Sequence, residues 1–499
     1  MYSSLQSLRL ARRALSTAPA LTQGASTPKA SGLMGALKRA LGPSAEPLPP
    51  NYRVDPALLP EVATKVTVLP NGLRVASESQ PVGAAVVGVW IDAGTRFEDE
   101  RVNGAAHFLE HLIFKGTKNR GQRELEVGVE NVGAHLNAYT SREQTVYYAR
   151  SLKNDVPAMT GLLADILQNS EISDAAVDRE RDVILREMEE IDQIQEEVVF
   201  DYLHGTAFQD SPLARTILGP VENIRSLKSA DLKAYIAEHY KPHRMVLAAA
   251  GDVDHDELVA LATDHFGSMP ADPNPASSLD LVAEKPAYLV GSDVRIRNDD
   301  MPVAHFALAF ESCGWAHPDA VSFMVLQSLM GSYDRASTTA SSSSYRLSST
   351  LSSIPNAKTA TTFNTTYTDT GLFGIYVTGE PPELDDIVVP ILGELVRNCF
   401  KVDAHQLENA KTALKTSLLA QLDGPTGTAE EIGRQLLVYG RRVPTSEWFA
   451  RIDAVDADAI KRISNKYIFD RELAITAMGP IHSLPDYNFF RRRTYTNLF

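Results

Sequence analysis

The sequence predicts an α+β fold of two similar, duplicated domains, each a mixed sheet packed with helices, joined clam-like through a linker. Three observations carry that prediction. A chain of 499 residues exceeds what one hydrophobic core covers, so two or more domains are expected. Residues 224–253 and 452–481 align without a gap at an offset of 228, where Leu227 meets Val455, Leu232 meets Ile460, Ala249 meets Ala477 and Gly251 meets Gly479. A second pair, 87–117 and 306–332, repeats the order strand, helix, Gly-Thr or Gly-Ser. Two pairs in the same order point to duplication, not to chance likeness between helix–strand units. Pro270, Pro273, Pro275 and Pro286, set among Asp, Asn and Ser, mark the linker. The expected divisions are 1–50 as a targeting segment and connector, 51–269 as the first domain, 270–288 as the linker and 289–499 as the second domain.

The elements follow from local pattern. Residues 51–62 hold Pro56 and Pro60 and read as a connector. Residues 66–79 predict two strands around Pro70-Asn71-Gly72, because Asn-Gly suits the positive φ of a tight hairpin turn. Residues 84–93 are an apolar β-type run, and 104–114 switch to helical spacing. Residues 136–151 read as strand. Residues 156–169 predict a helix that Asp155 can cap and whose first turn tolerates Pro157. Residues 173–202 predict one long, heavily charged helix.

Composition narrows the function. Residues 1–50 carry Arg9, Arg12, Arg13, Lys29, Lys38 and Arg39 against the single acid Glu46, with abundant Ser, Thr and Ala. That is the makeup of a mitochondrial or chloroplast transit peptide; a basic disordered arm is the alternative. Arg13-Ala14-Leu15-Ser16 suggests cleavage near Leu15, and a later cut is equally compatible. This segment carries +5 of the formal −15, which leaves −20 on residues 51–499. Such an acidic protein repels nucleic acid and attracts basic ligands. No segment reaches the ~20 apolar residues of a transmembrane helix, so membrane association has to come through partners. Two cysteines, Cys313 and Cys399, do not make a disulfide framework and suit a reducing compartment; Cys313 reads as a core residue before a nucleophile.

The chemistry centres on His107-Phe108-Leu109-Glu110-His111. Residues three and four apart share a helix face, so His107 and His111 can bind one metal ion with Glu110 on the same side. Two imidazoles suit Zn²⁺ with a position left for water, and Glu110 is the candidate general base. This is the H-x-x-E-H order of inverzincins; a half-buried structural helix is the alternative. A third ligand is expected from the charged helix, where Glu180 and Glu187 lie two turns apart and either completes a His₂Glu site. Aligned at Gly116 and Gly331, His107, Glu110 and His111 fall opposite Ser322, Val325 and Leu326, so the second domain lacks the metal site.

With these residues in place, the chain resembles the β-type subunits of mitochondrial processing peptidases, within the pitrilysin-type inverzincins. It is also similar to the related core subunits of respiratory complex III. The likeness runs from about residue 66 to the C-terminus and is densest at 104–117, 136–143 and 201–220. It implies that His107, His111 and Glu187 bind zinc, that Glu110 is the base and that Glu180 supports the site. It implies that Glu197 and Asp201 receive a presequence arginine, that Asn137, Ala138 and Tyr139 form the edge strand on which substrate adds, and that Phe114 walls the pocket after the cut. It further implies one zinc ion, an α-type partner subunit, basic presequence peptides as substrates and a mitochondrial location at the matrix side. The other reading it allows is a structural core subunit of complex III, alone or alongside peptidase activity. The likeness lapses at one place: Asp334-Arg335 is followed by Ser/Thr-rich residues 336–344 where the β-type subunits carry glycines.

Overall fold

The computed structural model describes residues 63–337 and 345–495. The leader, its cleavage site and positions 338–344 of the Ser/Thr-rich loop therefore lie outside the described residues. The first half runs β1 (Lys65–Val68), β2 (Arg74–Ser79), β3 (Ala84–Ile91), α1 (Ala105–Leu112), α2 (Gln122–Asn131), β4 (His135–Thr140) and β5 (Thr145–Leu152). It continues through α3 (Val156–Asn169), α4 (Asp174–Ile191), α5 (Gln195–Ala207), α6 (Val221–Ser226), α7 (Ser229–His239), β6 (Met245–Gly251) and α8 (His255–Phe266). A short helix, α9 (Ser278–Glu284), stands in the proline-rich stretch. The second half runs β7 (Ser292–Arg297), β8 (Ala304–Cys313), α10 (Ala320–Met330), β9 (Ser332–Asp334), α11 (Arg346–Leu351), β10 (Ala357–Thr366) and β11 (Thr370–Gly379). It closes with α12 (Asp385–Arg397), α13 (Ala404–Gln421), α14 (Pro425–Tyr439), α15 (Thr445–Asp453), α16 (Ala457–Tyr467), β12 (Ala474–Gly479) and α17 (Tyr487–Arg493).

The repeat read from sequence is a repeat of architecture. Two six-stranded sheets have the orders β1-β2-β6-β3-β5-β4 and β7-β12-β8-β11-β10-β9. In each, one parallel pair (β2 with β6, β7 with β12) precedes antiparallel neighbours. The offset of 228 carries α7 onto α16 residue for residue. Val87 stands opposite Ala249, and Phe306 stands opposite Ala477, its equivalent in the second sheet.

Each sheet is covered on one face by its own half and on the other by a helix from the opposite half. Because strand side chains alternate, Val87, Val89 and Ile91 enter the core beneath α1 and α3, while Val86 and Trp90 face the other way. There they meet Ala429, Ile432 and Leu436 of α14. Reciprocally, Val199, Leu203 and Ala207 of α5 pack on Ala307, Phe363 and Tyr376 of the second sheet. Each large side chain so buried contributes about 1.5–3 kcal/mol, which holds the halves against one another.

Three local expectations are corrected. Residues 173–202 form two helices, because α4 sends Val177 and Ile184 into the first core while α5 must send Val199 and Leu203 into the cross-half core. One straight helix cannot present both faces, and the chain breaks at 192–194, where Ile194 has φ −100 and ψ 86. Residues 136–151 form a hairpin, β4 and β5, turning at 141–144. Asp155 sits at the start of α3, but its side chain accepts no capping hydrogen bond. Cys313 and Cys399 are buried, and burial pushes both thiols up to about 12, as core residues and not as nucleophiles.

Candidate metal centre

Helix α1 is begun by the backbone around Gly104. Its φ of 103 is left-handed, and a Cβ there would lie 2.9 Å from both Ile224 Cδ1 and Leu218 O, so only glycine fits. The exposed amides of the first turn are met by Glu98, a residue the sequence reading passed over. Its Oε1 accepts from Ala106 N at 2.7 Å, and its Oε2 from Gly104 N at 2.9 Å and Asn103 Nδ2 at 2.8 Å. Burial pushes the Glu98 carboxyl up to about 7 against these donors. An acid six residues before the helix-starting glycine was the available signal.

One face of α1 then presents His107 and His111, with ring centroids 4.8 Å apart, to α4. Glu187 Oε2 lies 3.2 Å from His107 Nε2 and 3.0 Å from His111 Nε2. The three donor atoms fall within 4.8 Å of one another, the one such group of three His, Cys, Asp or Glu among the described residues. Two imidazoles and a carboxylate converging this way fit Zn²⁺ and leave a coordination position for a reactant. Burial lowers His107, but the Glu110 and Glu187 carboxylates outweigh it and push the imidazole up to about 9. Burial raises Glu187, yet the two imidazoles hold it far below the usual carboxylate range. A cation between these groups would take over that pairing.

Of the two glutamates left open as third ligand, Glu187 is the one at both imidazoles. Glu180 stands behind, its Oε1 3.6 Å from His111 Nδ1 and its Oε2 3.1 Å from Lys115 Nζ. Lys115 is a further residue that sequence reasoning missed. Glu110 Oε2 lies 3.8 Å from His107 Nδ1 on the same helix face. Phe114, half-buried, sets its ring edge-on to Tyr147 at 6.2 Å. Tyr147 and Tyr240 share a hydroxyl hydrogen bond of 2.9 Å, and burial, with the Glu110 charge adding to it, holds both phenols above their ordinary value.

Strand β4 is the edge of the first sheet on the side of α1, where Thr140 Oγ1 donates to Ala106 O at 3.5 Å. Asn137 is exposed, with Nδ2 donating to Tyr148 Oη at 3.1 Å. Ala138 N donates to Asn137 Oδ1 at 2.9 Å. Tyr139 points to the opposite face from the metal cluster, into the core shared with α14. Glu197 and Asp201 occupy successive turns of α5. Asp201 already has a cationic partner in this chain: Arg142 Nη2 donates to its Oδ1 at 2.7 Å, from a side chain that is only 8% exposed. A cavity of about 290 Å³ lined by Arg96, Glu98, His239 and Arg244 opens near the linker, and none of the metal-cluster residues lines it.

Comparison with known proteins identifies the family of the chain. The model of insulinase, peptidase family M16, matches residues 74–221, and that of the peptidase M16 inactive domain matches 226–414. A probable mitochondrial-processing peptidase subunit beta from Arabidopsis thaliana is 51% identical over 437 residues, covering 87% of this chain and 82% of the relative. The mitochondrial-processing peptidase subunit beta of Homo sapiens is 50% identical over 428 residues, covering 86% and 87%. A chain of complex III2 from Candida albicans, solved with Inz-5 bound, superposes with a TM-score of 0.77 at 25% identity, covering 87% of this chain and 100% of that one. The two models follow one another along the chain, the second beginning at the end of α6, and the chain belongs to peptidase family M16, among the β subunits of mitochondrial-processing peptidases.

Proposed function

We propose that this chain is the zinc-binding, catalytic subunit of an endopeptidase that removes targeting presequences from imported precursors at the matrix side of mitochondria, working with an α-type partner. The convergence of His107, His111 and Glu187 beside Glu110 is the observation that carries the reading. His107, His111 and Glu187 would hold one zinc ion, which supplies a Lewis acid that polarises the scissile carbonyl and acidifies a water. Glu110 Oε2 takes the proton of the attacking water and returns it to the leaving nitrogen. Glu180, oriented by Lys115, faces Nδ1 of His111 and so favours the tautomer with its proton on Nδ1, which leaves the Nε2 lone pair for the metal. The substrate backbone adds to the open edge at Asn137 and Ala138, and Phe114 packs against the residue following the cut.

Glu197 and Asp201 receive a substrate arginine on the α5 face, with Arg142 holding Asp201 in place until then. The acidic balance of the chain beyond residue 50 suits basic presequences. We read the catalytic half as 51–269 and the second half as 289–499, with 270–288 between them.

A second reading, a core subunit of complex III, is favoured by the superposition on the Candida albicans chain. The decisive experiment is presequence cleavage by the purified chain with an α-type partner, with Glu110→Gln as control. We expect zinc-dependent cleavage that drops by at least about a hundredfold in the control, which still retains zinc. A folded, zinc-loaded pair that does not cleave would move the chain to the core-subunit reading.

A further inference from the structure

We propose that Glu430, on α14 of the half without a metal site, is a positioning residue for the substrate strand, clamping edge strand β4 from behind. The proposal rests on the reading that peptide adds to β4. Along β4 the side chains alternate: Leu136 and Ala138 pack toward the core beneath α1, and Tyr139 faces α14. Tyr139 Oη donates to Glu430 Oε1 at 2.5 Å, and Trp90 Nε1 donates to Glu430 Oε2 at 3.1 Å. One carboxylate thus ties the edge strand to central strand β3 through two side chains of the metal-bearing half.

The helix that carries Glu430 is itself seated firmly. Gly433 lies flush on the Trp90 ring, where a Cβ would come within 2.1 Å of Cδ2. Arg74 Nη1 donates to Leu436 O at 2.7 Å, and Arg442 bridges Glu78 and Glu431 at 3.1 Å each. Strand addition requires the outer edge of β4 to hold a fixed backbone line, because the incoming peptide reads its hydrogen bonds in register. At the edge, β4 has a neighbouring strand on one side only, β5, so it depends on side-chain anchors for that rigidity. Glu430 supplies one from the other half of the molecule, and it acts on the substrate strand through Tyr139.

The test uses the full chain with its α-type partner and an arginine-containing presequence peptide. Glu430→Ala should raise KM on the order of tenfold, the loss of a charge-assisted hydrogen bond, with kcat and zinc content within about twofold of wild type. Tyr139→Phe should act alike and add little on the Glu430→Ala background. Glu430→Gln should recover most of the affinity, since its amide can accept from Trp90 and donate to Tyr139 Oη. Peptide affinity by fluorescence anisotropy on the Glu110→Gln background reads the clamp apart from the chemistry. An unchanged KM in Glu430→Ala, additive effects with Tyr139→Phe, or a Gln variant as impaired as Ala would overturn the clamp while leaving the peptidase reading intact. A wild-type pair that does not cleave sinks the peptidase reading, and one that does not bind the peptide sinks both.

Discussion

Arg96 joins the two halves and the linker at one buried point, and its removal should be costly. Its guanidinium donates Nη1 to Glu143 Oε1 at 2.7 Å and both Nη atoms to the Asp369 carboxylate at 2.7 Å. Glu143 stands in the β4–β5 turn and also accepts from Thr368 N at 3.1 Å; Asp369 also accepts from Ala287 N at 3.0 Å. The Arg96 side chain is 2% exposed, Glu143 9% and Asp369 22%. Replacing Arg96 by Met keeps most of the stem but strands two carboxylates without their cation. Breaking a buried pair from one side costs about 3–5 kcal/mol, and the partial exposure of Asp369 argues for about 3 kcal/mol. An exposed pair would give only about 0.2–1 kcal/mol. At about 2–4 °C per kcal/mol for a domain of this size, Tm should fall by about 6–12 °C. Scanning calorimetry of the full chain measures this, with Asp369→Asn and the double variant completing the cycle. The double variant should lose less than the sum of the singles, because one of the two stranded charges is then gone. A Tm loss under about 2 °C, or strict additivity, would refute the argument that this network is a buried latch.

Two further outcomes follow from the site. Glu180→Gln should weaken zinc binding about 10–100-fold in a chelator competition while leaving secondary structure intact, because it loosens the support behind His111; unchanged affinity would remove Glu180 from the site. Glu98 titrates near 7 in the fold against an ordinary 4.5. The folded state therefore holds that proton more tightly, and stability falls as pH rises from about 4.5 to about 7, then levels. At about 1.4 kcal/mol per pH unit this slope is worth about 3 kcal/mol, and Glu98→Gln should lack it. Urea midpoints from pH 5 to 8 decide; a variant with the wild-type slope would show that Glu98 does not carry it. Part of the slope should persist in the variant, because burial also pushes Glu143 up to about 7.

What could be read from sequence alone was what short windows encode. Asn71-Gly72 marks the β1–β2 hairpin, and the helix bearing His107 and His111 follows from their i, i+4 spacing. The offset of 228 holds because helix α16 and strand β12 repeat the pattern of α7 and β6. The β4–β5 turn escaped notice because Ser141-Arg142-Glu143-Gln144 holds no Gly, Pro or Asn to signal it. The break at 192–194 escaped because nothing local disfavours helix there; the second sheet decides it, by demanding the opposite face of α5.

The approach of Glu187 to both imidazoles, the pairing of Asp201 with Arg142 and the reach of Glu430 to Tyr139 are contacts that only the tertiary structure makes. Each joins residues about 60 to 290 positions apart in the chain, whose meeting depends on sheet order and helix exchange. Periodicity and turn chemistry act over a few residues and so are written locally; which carboxylate meets which cation is a property of the packed whole.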